Sequence, residues 1–141
     1  MLTQMSIRNF ALIEQMNISF KDGITIFTGE TGAGKSILMD AFSILLGERA
    51  SSEFIRHGKD SFVIDGIFDI ANHQSLLDLL QSKNILVEDN QLILSRSFNT
   101  SGKSIILAND QPIPLKALKE IGLLLADIHG QYSNQKLLNP D

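Results

Sequence analysis

The sequence predicts an α/β fold built around a strand, a glycine-rich loop and a helix. A β-branched and aromatic run over residues 23–28 is typical of a buried strand. The next eight residues, 29–36, read G-E-T-G-A-G-K-S and match the pattern G-x-x-x-x-G-K-[ST]. Apolar residues then recur at helical spacing as far as Leu46, and Gly47 is suited to cap that helix. This order is the setting that a phosphate-binding P-loop needs, so we predict a P-loop NTPase fold.

The loop supplies the groups that a nucleoside triphosphate and Mg²⁺ require. Its three glycines allow backbone conformations that turn successive N–H groups onto phosphate oxygens. Lys35 is expected to reach the β- and γ-phosphates, and the Ser36 hydroxyl is expected to be a ligand of Mg²⁺. The predicted nucleotide-binding residues of the loop are Gly29, Glu30, Thr31, Gly32, Ala33, Gly34, Lys35 and Ser36.

The length, net charge and cysteine content of the chain limit the classes of protein to which it can belong. The chain has 141 residues, enough for one domain with a core, and a net charge of −4. A negative net charge does not attract the phosphate backbone of nucleic acid, so contact with DNA would need a local basic patch or a second chain. The absence of cysteine excludes disulfides and thiolate metal sites. Neither a signal peptide pattern nor an apolar run of ~20 residues is found, which predicts a soluble cytoplasmic protein.

Strand patterns occur on both sides of the loop. Residues 2–10 and 12–20 predict two antiparallel strands before the P-loop strand, which follows an Asp-Gly turn. Residues 62–70 alternate as a further strand, in which Gly66 is interpreted as a bulge.

Two more strands and two helices are predicted in the second half of the chain. Residues 92–98 and 104–109 predict a pair of strands followed by an Asn-Asp turn. Asn72 is a suitable N-cap for a short helix, and Pro114 suits the first position of a later helix. The apolar run 123–128 fits either the end of that helix or a strand.

The end of the chain allows two interpretations. If residues 123–127 are a strand, Asp127 is the carboxylate that holds Mg²⁺, and the chain is a self-contained small NTPase or kinase. Alternatively Gln131, in a loop after Gly130, contacts Mg²⁺ and orients the attacking water. Arg56 likewise has two interpretations, a solvated loop charge or a cation that reaches phosphates or DNA.

Four ordered segments resemble the RecN family of bacterial DNA repair proteins over essentially all 141 residues. They read I-R-N-F-A-L-I at 7–13, G-E-T-G-A-G-K-S at 29–36, L-G-E-R-A at 46–50 and D-I-H-G-Q at 127–131. This family is an SMC-like member of the ABC-type ATPases, with a head split into two sequence halves by a long antiparallel coiled coil. The resemblance implies that residues 1–141 are the N-terminal half of such a head, with antiparallel strands beside the P-loop strand.

The resemblance also implies a mechanism and partners. Two heads would sandwich ATP and Mg²⁺, and their engagement would regulate DNA holding in double-strand break repair. Gln131 matches the Q-loop glutamine, and Arg56 lies where the family carries an arginine after the P-loop helix. The implied partners are DNA, a second head or the C-terminal half of the same protein, and the recombinase RecA, at the nucleoid.

The sequence also lacks features that a complete head would have. It has no signature motif, no convincing Walker B strand and no heptad pattern. We therefore expect a fragment that hydrolyses little or no ATP alone and self-associates through unpaired surfaces. A nucleotide-gated interaction module that does not hydrolyse ATP remains a further alternative.

Overall fold

The computed structural model describes residues 1–20 and 32–128, and these residues form an antiparallel sheet with helices. The predicted strand at 23–28 and its turn lie outside the described residues. Within the described residues, six strands follow one another in the sheet in the order β2-β1-β3-β4-β5-β6. They are β1 (Leu2–Phe10), β2 (Ile13–Ser19), β3 (Ser61–Asp69), β4 (Gln91–Asn99), β5 (Ser104–Ala108) and β6 (Gln111–Pro112).

The predicted pair of strands at the start of the chain is confirmed as a hairpin. β1 and β2 are antiparallel, and Ile7 lies opposite Met16 on β2 and Ile64 on β3. The backbone has positive φ at Asn9 (56°), near the end of β1, and at Ala11 (53°), in the turn between the two strands. β1 is thereby an inner strand, and β2 is at one edge of the sheet as the described residues form it.

The interpretation of Gly66 as a bulge is wrong. β3 pairs with β4 in continuous register from Ser61 to Asp69, and the irregularity in its pairing with β1 lies between Leu2 and Gln4. Gly66 is instead a point of close packing, because a Cβ there would lie 2.5 Å from a methyl carbon of Leu45. The missing side chain makes room for a helix on this face of the sheet.

The two strands predicted in the second half of the chain are confirmed, and a short third one follows them. β4 and β5 pair from Leu94 opposite Ala108 to Phe98 opposite Ser104. The predicted Asn109-Asp110 turn has positive φ at both residues, 49° and 68°. It returns the chain into β6, whose two residues are too few to give a strand pattern in the sequence.

The structure has three α-helices in its described residues: α1 (Gly32–Leu45), α2 (Gln74–Ser82) and α3 (Leu115–Ile128). α1 follows the predicted helix but begins inside the glycine-rich loop, and Gly47 follows it with a φ of 119°. The Asn72 cap is wrong, since α2 has His73 at its N-cap position and that side chain makes no capping hydrogen bond.

The strand alternative for residues 123–128 is also wrong. This segment is the second half of α3, which begins at Leu115, directly after Pro114. Leu118, Ile121 and Leu125 recur at helical spacing and are buried, because one face of α3 packs on the core. The helix therefore removes the strand that a self-contained enzyme with Asp127 as its Mg²⁺ ligand requires.

The core lies between the helices and one face of the sheet. Its sheet side is built from inward residues of neighbouring strands, including Ile7, Ile64 and Ile106. α1 packs against β3 and β4, and α2 packs against α3. The opposite face of the sheet carries more exposed aliphatic side chains, of which Ile93 is 40% and Ile105 48% exposed.

Candidate nucleotide-binding site

The N-terminal turn of α1 contains half of the predicted phosphate loop. Its backbone comprises Gly32, Ala33, Gly34 and Lys35, and no acidic residue lies in this turn. The first N–H groups of a helix have no partner inside the helix, and the helix dipole places partial positive charge there. The turn therefore fits a phosphate group, with no carboxylate on it to repel the anion.

Of the other residues predicted to bind ATP or Mg²⁺ from the phosphate loop and the C-terminal loop, Ser36 lies within the described part of the chain. The side chain of Ser36 is exposed on the first half of α1, where it is open to a ligand. Gly29, Glu30, Thr31 and Gln131 lie outside the described residues.

Arg56 lies in the segment after α1 and is held by the β1–β2 turn. Its guanidinium donates a hydrogen bond to the Leu12 carbonyl at 2.8 Å, and its backbone N–H donates to the Asn9 carbonyl at 2.9 Å. Its side chain is half-buried. Only one terminal nitrogen of the guanidinium makes this contact, so the group has further N–H donors for another acceptor.

An aromatic cluster holds the segment that carries Arg56. A short 3-10 helix (Ser52–Phe54) places the Phe54 ring in a stacked contact with Phe10, with centroids 5.0 Å apart. Phe10 also meets Phe62 edge to face at 5.0 Å, and Ile55 bridges to the Phe10 backbone. The position of Arg56 is therefore set by the contacts that its neighbours Phe54 and Ile55 make with β1.

The C-terminal end of α1 is bound by Arg96, a residue that the sequence analysis did not single out. Arg96 is the one buried polar or charged residue in the described part of the chain, with 3% of its surface exposed. One of its terminal nitrogens donates to the Ile44 carbonyl at 2.5 Å and to the Glu48 carbonyl. The Ile44 carbonyl lies in the last turn of α1 and also accepts from the Gly47 N–H at 3.1 Å, and the Glu48 carbonyl lies just after the helix, so Arg96 joins the helix end to the segment that follows it.

Burial lowers the pKa of Arg96 to about 10, and the nearby charge of Glu48 partly opposes that shift. The side chain is still a cation at neutral pH, which is favourable beside the negative end of the helix dipole. A signal for it existed in the sequence: Leu92, Leu94, Arg96 and Phe98 occupy alternate positions of β4, so Arg96 faces inward. Its helix partners, by contrast, are distant in sequence.

A surface concavity of about 510 Å³ lies elsewhere, between the α2–β4 connection and the β5–β6 turn. Of the described side chains, neither Ser36 nor Arg56 contributes to its lining. Asn109 and Gln111 cross it, and they bond to the backbone of Leu86 and neighbouring residues. We attribute this concavity to the way these two side chains tie the connection to the sheet.

Comparisons with known proteins place the chain in a family. A family model described as an AAA domain matches residues 4–121. The chain is 44% identical over 141 residues to the DNA repair protein RecN of Bacillus subtilis (strain 168), covering 100% of this chain and 24% of that protein. It is 38% identical over 141 residues to the RecN of Vibrio cholerae serotype O1, covering 100% and 25%. The chain thus spans about a quarter of the length of these curated relatives.

Solved structures share the fold at low sequence identity. One is from work on ATP-driven dimerization and DNA-stimulated activation of SMC ATPases, with a TM-score of 0.65 and 19% identity over 87% of this chain and 78% of that chain. The recombination mediator protein RecF with ATP gives a TM-score of 0.63 at 19% identity, covering 86% and 30%. The SMC head domain from Thermotoga maritima gives 0.55 at 18%, covering 84% and 41%. The chain therefore belongs to the AAA domain family, is related to RecN over its full length and has the fold of an SMC- or RecF-type P-loop ATPase head.

Proposed function

We propose that this chain is the ATP-binding N-terminal half of the head of a RecN-type, SMC-like ATPase that acts in DNA double-strand break repair and recombination. The observation that carries the proposal is the glycine-rich loop running into α1 on a sheet of the SMC-head type. The identity to RecN proteins extends from one end of the chain to the other.

The residues of the loop have distinct roles toward ATP and Mg²⁺. Backbone N–H groups of the eight-residue loop bind phosphate oxygens, and Lys35 neutralises charge on the β- and γ-phosphates. Ser36 and Gln131 provide oxygen ligands for Mg²⁺, and Gln131 orients the attacking water. Mg²⁺ supplies charge stabilisation on the transferring phosphoryl group when it is bound. Arg56 is a further cation toward the phosphates, held in place by the β1–β2 turn.

The site is completed by groups outside this chain. In this proposal the second head, or the C-terminal half of the same protein, provides the signature motif and the Walker B carboxylate. ATP then controls head engagement, and head engagement controls DNA holding at the nucleoid, with RecA as a recombinase partner. No helix in residues 1–20 and 32–128 is long and apolar enough to cross a membrane.

Substitution of Lys35 tests the nucleotide site directly. In the full-length protein, Lys35→Ala should weaken ATP binding at least tenfold, because a charged hydrogen bond contributes about 1.5–3 kcal/mol. The measurement is equilibrium titration with a fluorescent ATP analogue. Lys116→Ala is the matched control, since Lys116 is exposed on α3. Equal affinity in the wild type and Lys35→Ala would contradict the proposal.

A further inference from the structure

Close contacts from three elements converge on the C-terminal turn of α1 and the residues just after it. Arg96 of β4 binds the Ile44 and Glu48 carbonyls, as described above. Gly66 of β3 leaves room for the Leu45 side chain, and Gly122 of α3 faces the Leu46 carbonyl. We call this set of contacts the α1 clamp.

The contact with α3 is the tightest of the set. A Cβ at Gly122 would lie 1.9 Å from the Leu46 carbonyl oxygen, whereas real Cβ atoms essentially never come within 3.0 Å of another heavy atom. The missing Cβ therefore lets the backbones approach, and any side chain at 122 would separate α3 from α1 by about 1 Å. The chain then continues past Gly47, where a Cβ would meet the backbone of Lys119 at 3.0 Å.

The contact with β4 is directional. One nitrogen of Arg96 donates to two carbonyls, and hydrogen bonds depend on direction as well as on distance. The guanidinium therefore fixes the rotation of the last turn of α1 about the helix axis and its distance from the sheet. The apolar residues that bury the rest of α1, including Leu38 and Phe42, contribute contacts that have no such direction. The clamp therefore sets where α1 lies.

The other end of the same helix begins in the phosphate loop. α1 has 14 residues, Gly32–Leu45, so its two ends are joined by a rigid rod about 20 Å long. We propose that Arg96 and Gly122 are positioning residues of the phosphate loop: by fixing the C-terminal end of α1, they set the backbone N–H groups at its N-terminal end for a nucleotide. This inference rests on the proposed ATP-binding function and adds two residues that do not touch the nucleotide.

The test measures nucleotide affinity separately from stability. In the full-length protein we would titrate wild type, Arg96→Met, Arg96→Lys and Gly122→Ala with a β,γ-imido ATP analogue, at 20 °C. Circular dichroism and thermal scans establish that each variant is folded at that temperature. Arg8→Met and Lys116→Ala are matched controls, because these side chains are exposed on β1 and α3.

We expect Arg96→Met and Gly122→Ala each to raise the Kd at least tenfold while folded. Arg96→Lys should raise it less than Arg96→Met, because an ammonium group can still donate to a carbonyl. Both controls should stay within twofold of wild type. If Gly122→Ala does not fold, the affinities of the Arg96 variants decide. The wild type should then bind the analogue most tightly, Arg96→Lys less tightly and Arg96→Met least tightly.

Two results would overturn the inference, and they differ. Folded Arg96→Met and Arg96→Lys with Kd values within twofold of a wild type that binds the analogue would show that the clamp only stabilises the fold. A wild type that does not bind the analogue at all would overturn the proposed function, and the positioning role with it.

Discussion

At the scale of the residue, Asn109 shows how one side chain holds several segments together. Its amide oxygen accepts from the Ile93 N–H at 2.7 Å, and its amide nitrogen donates to the carbonyls of Leu86 at 2.8 Å and Gln91 at 3.2 Å. Its backbone has a φ of 49°, a conformation that asparagine tolerates better than most residues with a Cβ. Both the side chain and the backbone conformation are therefore used at this position.

These two contributions can be separated by substitution. Asn109→Gly removes the hydrogen bonds but suits the positive φ, whereas Asn109→Ala removes them and adds strain of about 1 kcal/mol. We expect both variants to lower the free energy of unfolding in urea titrations, by about 1–3 kcal/mol for the hydrogen bonds. The alanine variant should be the less stable of the two. An alanine variant as stable as the wild type, or more stable than the glycine variant, would disprove this account of the turn.

At the scale of the element, an ion pair joins α2 to α3. Lys83, at the C-terminal cap of α2, lies 2.6 Å from a carboxylate oxygen of Glu120 on α3. The hydrogen bond and then the charge of Lys83 lower the pKa of Glu120 below its ordinary value of 4.5. A carboxyl group whose pKa is lower in the folded state stabilises the fold above its unfolded pKa, and this contribution is lost as the pH falls through the folded pKa.

Glu120→Gln should therefore have a pH-dependent effect on stability. At pH 7 the variant should melt slightly below the wild type, since exposed pairs contribute little. The difference in Tm should shrink towards zero when the pH is lowered well below 4.5, where the wild-type carboxyl is also neutral. Thermal melts followed by circular dichroism at pH 7 and pH 3 measure both differences. A difference that grows at low pH would contradict the assigned sign.

The elements also show which parts of the fold the sequence can predict. The strands at 62–70, 92–98 and 104–109 were predictable because a sheet with one buried face gives period-two alternation. The run at 123–128 was ambiguous, since a short apolar segment fits a strand or a buried helix, and packing against the core decides for the helix. The local sequence pattern did not predict that the Leu45 side chain packs on Gly66, because this contact joins α1 to β3.

The candidate site likewise has features that follow from consecutive residues and features that depend on contacts between distant residues. The phosphate loop could be proposed from the sequence alone, because its expected chemistry depends on consecutive residues, Gly29 to Ser36. Arg96 contacts carbonyls that are 48 and 52 residues away in the sequence, and Gly122 faces the carbonyl of Leu46, so only the structure shows these contacts. The anchoring of Arg56 on the Leu12 carbonyl is of the same kind.

At the scale of the whole molecule, the proposed function makes this chain half of a composite site. The described residues include the N-terminal turn of α1, the sheet on which this helix packs and the α1 clamp at its far end. The relatives are about four times as long as this chain, so most of their length lies outside the part that we describe. In the proposal, the carboxylate that activates ATP hydrolysis and the signature motif belong to that remaining length.

The most direct test compares ATP turnover by residues 1–141 alone with turnover by the full-length protein. Phosphate release would be measured with Mg²⁺ at matched molar concentrations, after circular dichroism has shown that the isolated chain is folded. We expect the full-length protein to turn over ATP, Lys35→Ala to abolish that turnover, and residues 1–141 alone to release phosphate at or near the background rate. Mg²⁺-dependent turnover by residues 1–141 at the full-length rate would contradict a composite site and would show that this chain holds every group needed to cleave ATP.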